Sequence, residues 1–88
     1  MQPIPVKYYL EIDFLIAIEF VRERNGFNTN EYLWYIEDYY DPGSVFNKIT
    51  RRFVDNIYPA DMTIEFQNST RFSSYEEALE CWTNKPVN

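Results

Sequence analysis

The chain has 88 residues, with eight Lys plus Arg, fourteen Asp plus Glu and no histidine, for a net charge of −6. That length allows one domain, and seventeen aromatics (eight Tyr, seven Phe, two Trp) are too many for a disordered acidic tail, so a folded core is expected. Without histidine there is no His general base, no Ser-His or Cys-His nucleophile pair and no His metal ligand, and the lone Cys81 allows neither an internal disulfide nor a thiolate metal cluster.

From Val6 to Phe14 apolar and polar residues alternate, which predicts a half-buried strand near 6–13. The alternation then gives way to the near-continuous apolar run Phe14 to Val21, followed by Arg22-Glu23-Arg24 and Asn25-Gly26, a helix-stop pair. We read a helix near 14–24 with Asp13 as its cap; a single helix from Pro5 to Arg24 is the rival. Asn28-Thr29-Asn30-Glu31 matches a capping box and opens an expected helix near 29–40. Asp41-Pro42 reads as cap and first residue of a helix near 43–57, whose apolar face would be Val45, Phe46, Ile49, Phe53, Val54 and Ile57.

Met62, Ile64 and Phe66 alternate with Thr63, Glu65 and Gln67, predicting strands near 62–67 and 70–72 around an Asn68-Ser69 turn. Ser74-Tyr75-Glu76-Glu77 is a second capping box, starting a helix near 74–82 with Ala78, Leu79, Cys81 and Trp82 inside; residues 83–88 read as a frayed tail. The expected fold is α+β: one compact domain over 1–88, a short antiparallel sheet, and three to four helices packed on one of its faces.

Other functions are disfavoured by what the chain lacks. Gly26 and Gly43 are too far apart to cradle a phosphate, and the longest wholly apolar run, Phe14 to Ile18, is far below the ~20 residues that span a bilayer. No signal-like start is present, so a cytoplasmic protein without cofactor or metal is expected. Lys48, Arg51 and Arg52 form the one cationic cluster, too small for direct nucleic-acid binding. No enzymatic activity is expected.

The charge is nevertheless organised. Residues 1–27 sum to −1, 28–43 to −4, 44–58 to +2 and 59–88 to −3. In the cation-free segment, Glu31, Glu37, Asp38 and Asp41 are interleaved with Trp34, Tyr35, Tyr39 and Tyr40. Acids near helix starts and amphipathic core tyrosines account for part of this pattern. Exposed Tyr and Trp are also what interfaces favour, so these eight residues form the candidate protein-binding site. By size and composition alone, the chain is similar in kind to small proteins that mobile elements encode against host restriction or CRISPR nucleases, and to nuclease-immunity proteins. That analogy implies a small acidic inhibitor or decoy occupying the basic surface of a nuclease or other nucleic-acid-binding protein. The alternative is a structural or adaptor subunit, with a homodimer as one form of it.

Overall fold

The computed structural model describes residues 7–12 in backbone, and residues 16–25 and 30–84 in full. Expectations for Val6, Asp13, Phe14, Asn28, Thr29 and residues 85–88 lie outside these described residues. The chain is α+β, as expected, but strands occupy most of the stretch where helices were predicted. Five strands, β1 (Lys7–Ile12), β2 (Ala17–Arg24), β3 (Tyr32–Asp38), β4 (Ser44–Asn47) and β5 (Arg52–Asp55), form one antiparallel meander in the order β1-β2-β3-β4-β5. A 3-10 turn over Pro59–Asp61 leads to two helices, α1 (Ile64–Thr70) and α2 (Tyr75–Thr83). No helix among the described residues is long and apolar enough to cross a membrane.

The strand near 6–13 is β1, paired with β2 from Lys7 opposite Val21 to Ile12 opposite Ala17, with a bulge between Tyr9 and Glu11. The predicted helix 14–24 is instead the central strand β2. Its apolar run lacks clear alternation because both faces of the strand are covered, as happens to strands with helices on either side. Ile18 and Phe20 lie on one face, Ala17 and Val21 on the other, and all four are buried.

The predicted helix 29–40 is β3, paired along its length with β2 from Arg24 opposite Tyr32 to Ile18 opposite Asp38. The aromatic-rich sequence YLWYIED suits a pleated surface, and the capping-box match ahead of it opens no helix over Tyr32–Asp38. The predicted helix 43–57 is the β4–β5 hairpin. Its four-residue loop, Lys48 to Arg51, spaces Phe46, Ile49 and Phe53 as a helix would, while the register pairs Val45 with Val54 and Phe46 with Phe53. Asn47 builds the turn, its Oδ1 accepting from the N–H groups of Ile49 (2.9 Å) and Thr50 (3.0 Å).

The alternation at 62–67 misleads in the other direction, since this segment is helix α1. Thr63 Oγ1 accepts from the Phe66 N–H (3.1 Å) as an N-cap, and Phe66 and Thr70, one turn apart, turn inward while Ile64 faces solvent. Of the predicted strand 70–72 only Phe72 pairs, its N–H and C=O each 2.8 Å from their partners on Trp34. The helix near 74–82 is α2, with Ser74 Oγ accepting from the Glu77 N–H.

The two helices lie on opposite faces of the sheet, not on one. α2 covers the face of Ile18, Phe20, Ile36 and Phe46, adding Ala78 and Trp82 to that core, and α1 covers Val21, Tyr35 and Val45 through Phe66. Trp82 meets Phe46 edge-on at 5.3 Å and Phe53 at 6.2 Å. Each large aromatic buried in this way is worth about 4–6 kcal/mol before conformational entropy is subtracted. Cys81 is half-buried against this core, close to its expected role as a small hydrophobe.

Candidate protein-binding site

A strand sends alternate side chains to opposite faces, so β3 divides the eight predicted residues instead of displaying them together. Trp34 is half-buried under α2, its ring 5.5 Å from Tyr75. Tyr35 is buried on the other face, beneath Arg71. Glu37 is 9% exposed, and its Oε2 accepts from the Gly43 N–H at 3.3 Å. Glu31 sits at the opposite end of the strand, accepting from Asn25 Nδ2 at 3.0 Å.

The remaining four residues stay together in the β3–β4 turn. Asp38 Oδ1 accepts from the Tyr40 N–H (2.9 Å), and Asp41 Oδ2 accepts from Ser44 Oγ (2.7 Å). Gly43 takes φ 99°, a left-handed conformation natural to glycine. This framework holds Tyr39 and Tyr40 outward with ring centroids 5.6 Å apart, Tyr40 being 59% exposed.

Ile16 is a member of this surface that the sequence reading missed. The Tyr39 N–H donates to the Ala17 carbonyl (2.9 Å), bringing the start of β2 beside the turn. There the exposed Ile16 joins Ala17, Ile18, Asp38 and Phe53 around a shallow recess of ≈ 220 Å³. Only the strand register reveals it, because Ile16 lies in an apolar run that reads as core.

The basic cluster Lys48, Arg51 and Arg52 does not share a helical face, since all three lie in the β4–β5 hairpin. Lys48 Nζ donates to the Arg71 carbonyl (2.8 Å) and sits 4.4 Å from the Phe72 ring centroid. Arg51 donates to Cys81 Sγ (3.3 Å) and to the Cys81 carbonyl (3.2 Å), closing the C-terminal end of α2 where a cation also complements the helix dipole. Arg71 is buried, with Nη2 donating to Asn56 Oδ1 (2.8 Å), to the Ile57 carbonyl (3.4 Å) and to Glu23 Oε1 (3.4 Å). Burial lowers the Arg71 pKa from its ordinary value, opposed by the Glu23 carboxylate, and burial together with Glu23 raises that of the Tyr35 phenol.

The fold thus draws most of its cations inward and, Glu19 and Glu37 apart, leaves most carboxylates at least partly outside. Among the described residues Glu31, Asp41, Asp55, Asp61, Glu65, Glu76, Glu77 and Glu80 are exposed, whereas Arg52 is the one exposed cation. No group of three His, Cys, Asp or Glu side chains suited to a metal ion occurs among the described residues. Comparison with known proteins finds no matching family model, curated protein or solved structure.

Proposed function

We propose that the chain is a non-enzymatic, cytoplasmic protein-binding module, an acidic inhibitor or decoy that occupies a basic, normally nucleic-acid-binding surface of another protein. The observation that carries this reading is the partition of charge: exposed carboxylates outnumber exposed cations because Lys48, Arg51 and Arg71 are engaged within the fold. Such a field speeds encounter with a basic partner and disfavours acidic ones. The contact element is the β3–β4 turn. Tyr39 and Tyr40 supply aromatic area, Asp41 pairs with a partner cation, and the recess beside Ile16 accepts an apolar side chain. Glu37 supports the turn from within through its contact with the Gly43 N–H, while Trp34 and Tyr35 belong to the packing on the two faces of the sheet.

The test is capture from a lysate of the source cell on the immobilised chain at about 50 mM and about 500 mM salt, with the captured protein then assayed on labelled nucleic acid. A nucleic-acid-binding protein recovered at low salt, displaced from its nucleic acid by the chain and bound at least about tenfold more weakly by Tyr40→Ala/Asp41→Asn, is the expected result. A partner that does not bind nucleic acid, or that binds chain and nucleic acid together, overturns the proposal. The second reading, a structural or adaptor subunit, is favoured by Tyr58 and Ile64, two large side chains left 72% and 78% exposed on either side of the 3-10 turn.

A further inference from the structure

Arg22 and Arg24 are two residues apart on one face of β2, opposite Trp34 and Tyr32 on β3. Arg22 lies 4.7 Å from the Tyr32 ring centroid, and its Nε is buried without a hydrogen-bond partner. Among the described residues, neither guanidinium forms a hydrogen bond or an ion pair. In a chain of net charge −6 this is unexpected, because a half-buried cation without an anion keeps its desolvation cost uncompensated.

α2 begins beside this pair. Tyr75 packs edge-on against Phe20 at 5.1 Å and lies 5.5 Å from Trp34, which sets the first turn of the helix next to Arg22 on the same face of the sheet. Glu76 and Glu80 stand four residues apart on the outer side of α2, both exposed and neither in an ion pair among the described residues. At that spacing like charges destabilise a helix. Four helical residues advance ~6 Å, and two strand residues advance ~6.7 Å. The arginine stripe and the carboxylate stripe therefore have nearly the same pitch.

We propose that two copies of this chain associate about a two-fold axis through the β2–β3 end of the sheet, Arg22 and Arg24 of each copy pairing with Glu76 and Glu80 of the other. Two neighbouring stripes of opposite charge, neither in an ion pair among the described residues, are self-complementary under a two-fold rotation, and each contact is then made twice. Arginine suits the role, since it stacks on aromatic rings while binding a carboxylate through its fork. Tyr32 and Trp34 supply the aromatic floor. The inference does not depend on the decoy reading. It leaves the β3–β4 turn of each copy free, because that turn is ~20 Å away at the other end of β3, so the dimer would present two acidic turns at once.

Sedimentation equilibrium tests this. The wild-type chain should dimerise with Kd below about 100 µM at about 50 mM salt and lose at least about tenfold in affinity at about 500 mM. Arg22→Glu/Arg24→Glu and Glu76→Arg/Glu80→Arg should each be monomeric, with unchanged circular dichroism, and should form a heterodimer when mixed. That mixture restores every opposite-charge contact, which a merely structural effect of either pair of substitutions would not do. A wild-type monomer in both salts overturns the proposal, as does a dimer indifferent to both reversals or a mixture that stays monomeric. Arg22- and Arg24-dependent binding of a fluorescent oligothymidylate or oligoglutamate by a monomeric wild-type chain would also overturn it, assigning the surface to another occupant.

Discussion

The guanidinium of Arg71 lies 4.4 Å from the Tyr35 ring centroid, sealing the one sheet face while its Nη2 reaches Glu23 on β2 and Asn56 beyond β5. Arg71 is 4% exposed. One side chain therefore ties the segment after α1 to two distant parts of the chain, and its backbone carbonyl holds Lys48 as well. This explains why the acidic exterior carries so little compensating positive charge.

Removing that guanidinium should cost more than replacing it by an apolar group of similar length. Arg71→Ala leaves Glu23 and Asn56 without a partner and opens a void over Tyr35, so a loss of about 3 kcal/mol or more is expected. Arg71→Met fills the space and should lose clearly less. Urea unfolding of the three proteins measures the order, and equal stability of the Ala and Met variants would show that the clasp is not a packed, polar unit.

Tyr35 gives the stability a definite pH dependence. Its folded-state pKa is raised above the ordinary 10.0, chiefly by burial, so the unfolded chain releases this proton first. The contribution is fully present below about pH 10 and is lost as pH rises from there toward the folded value. Tyr35→Phe removes that contribution while leaving the other seven tyrosines in place. Between about pH 9 and about pH 11, the wild type should therefore lose more stability than the variant. Parallel losses would contradict the assignment.

Much of the fold was hidden for physical reasons that particular residues make plain. β1 and α2 were legible because their signals are local: alternation from Lys7 to Ile12, and Ser74 capping Glu77. Between them, local signals misled. Ile18 to Val21 is buried on both sides, Glu19 included, because α1 and α2 sandwich the sheet at β2, and only the long-range arrangement reveals that. In the candidate site, the chemistry of Tyr39, Tyr40 and Asp41 was legible as an exposed cluster, but the strand period removed Tyr35 and Glu37 from it. The neighbouring Ile16 depends on the pairing of Ala17 with Tyr39, twenty-two residues apart in the sequence and invisible to any local pattern.

Ile49 separates the hairpin from the helix that the same sequence suggests. On a helix it would be a core residue, and a polar replacement there would cost several kcal/mol. In the β4–β5 loop it is 74% exposed, so Ile49→Ser should change stability by no more than about 0.5 kcal/mol. Thermal unfolding decides between the two.

Arg51 is the one described non-glycine residue with positive φ, at 62°, and this left-handed conformation costs an L-residue about 1 kcal/mol relative to glycine. The cost is offset by its hydrogen bonds to Cys81 at the end of α2. Arg51→Ala loses those bonds and keeps the strain, whereas Arg51→Gly loses the bonds and relieves it. The glycine variant should accordingly be the more stable of the two by about 1 kcal/mol, with the Ala variant below wild type. Both variants should fray α2 earlier than the wild type does, visible as faster amide exchange at Trp82, Thr83 and Asn84. If the Ala variant matches the Gly variant, the strain at Arg51 is not stored in the native hairpin; if exchange at the helix end is unchanged, Arg51 does not cap α2.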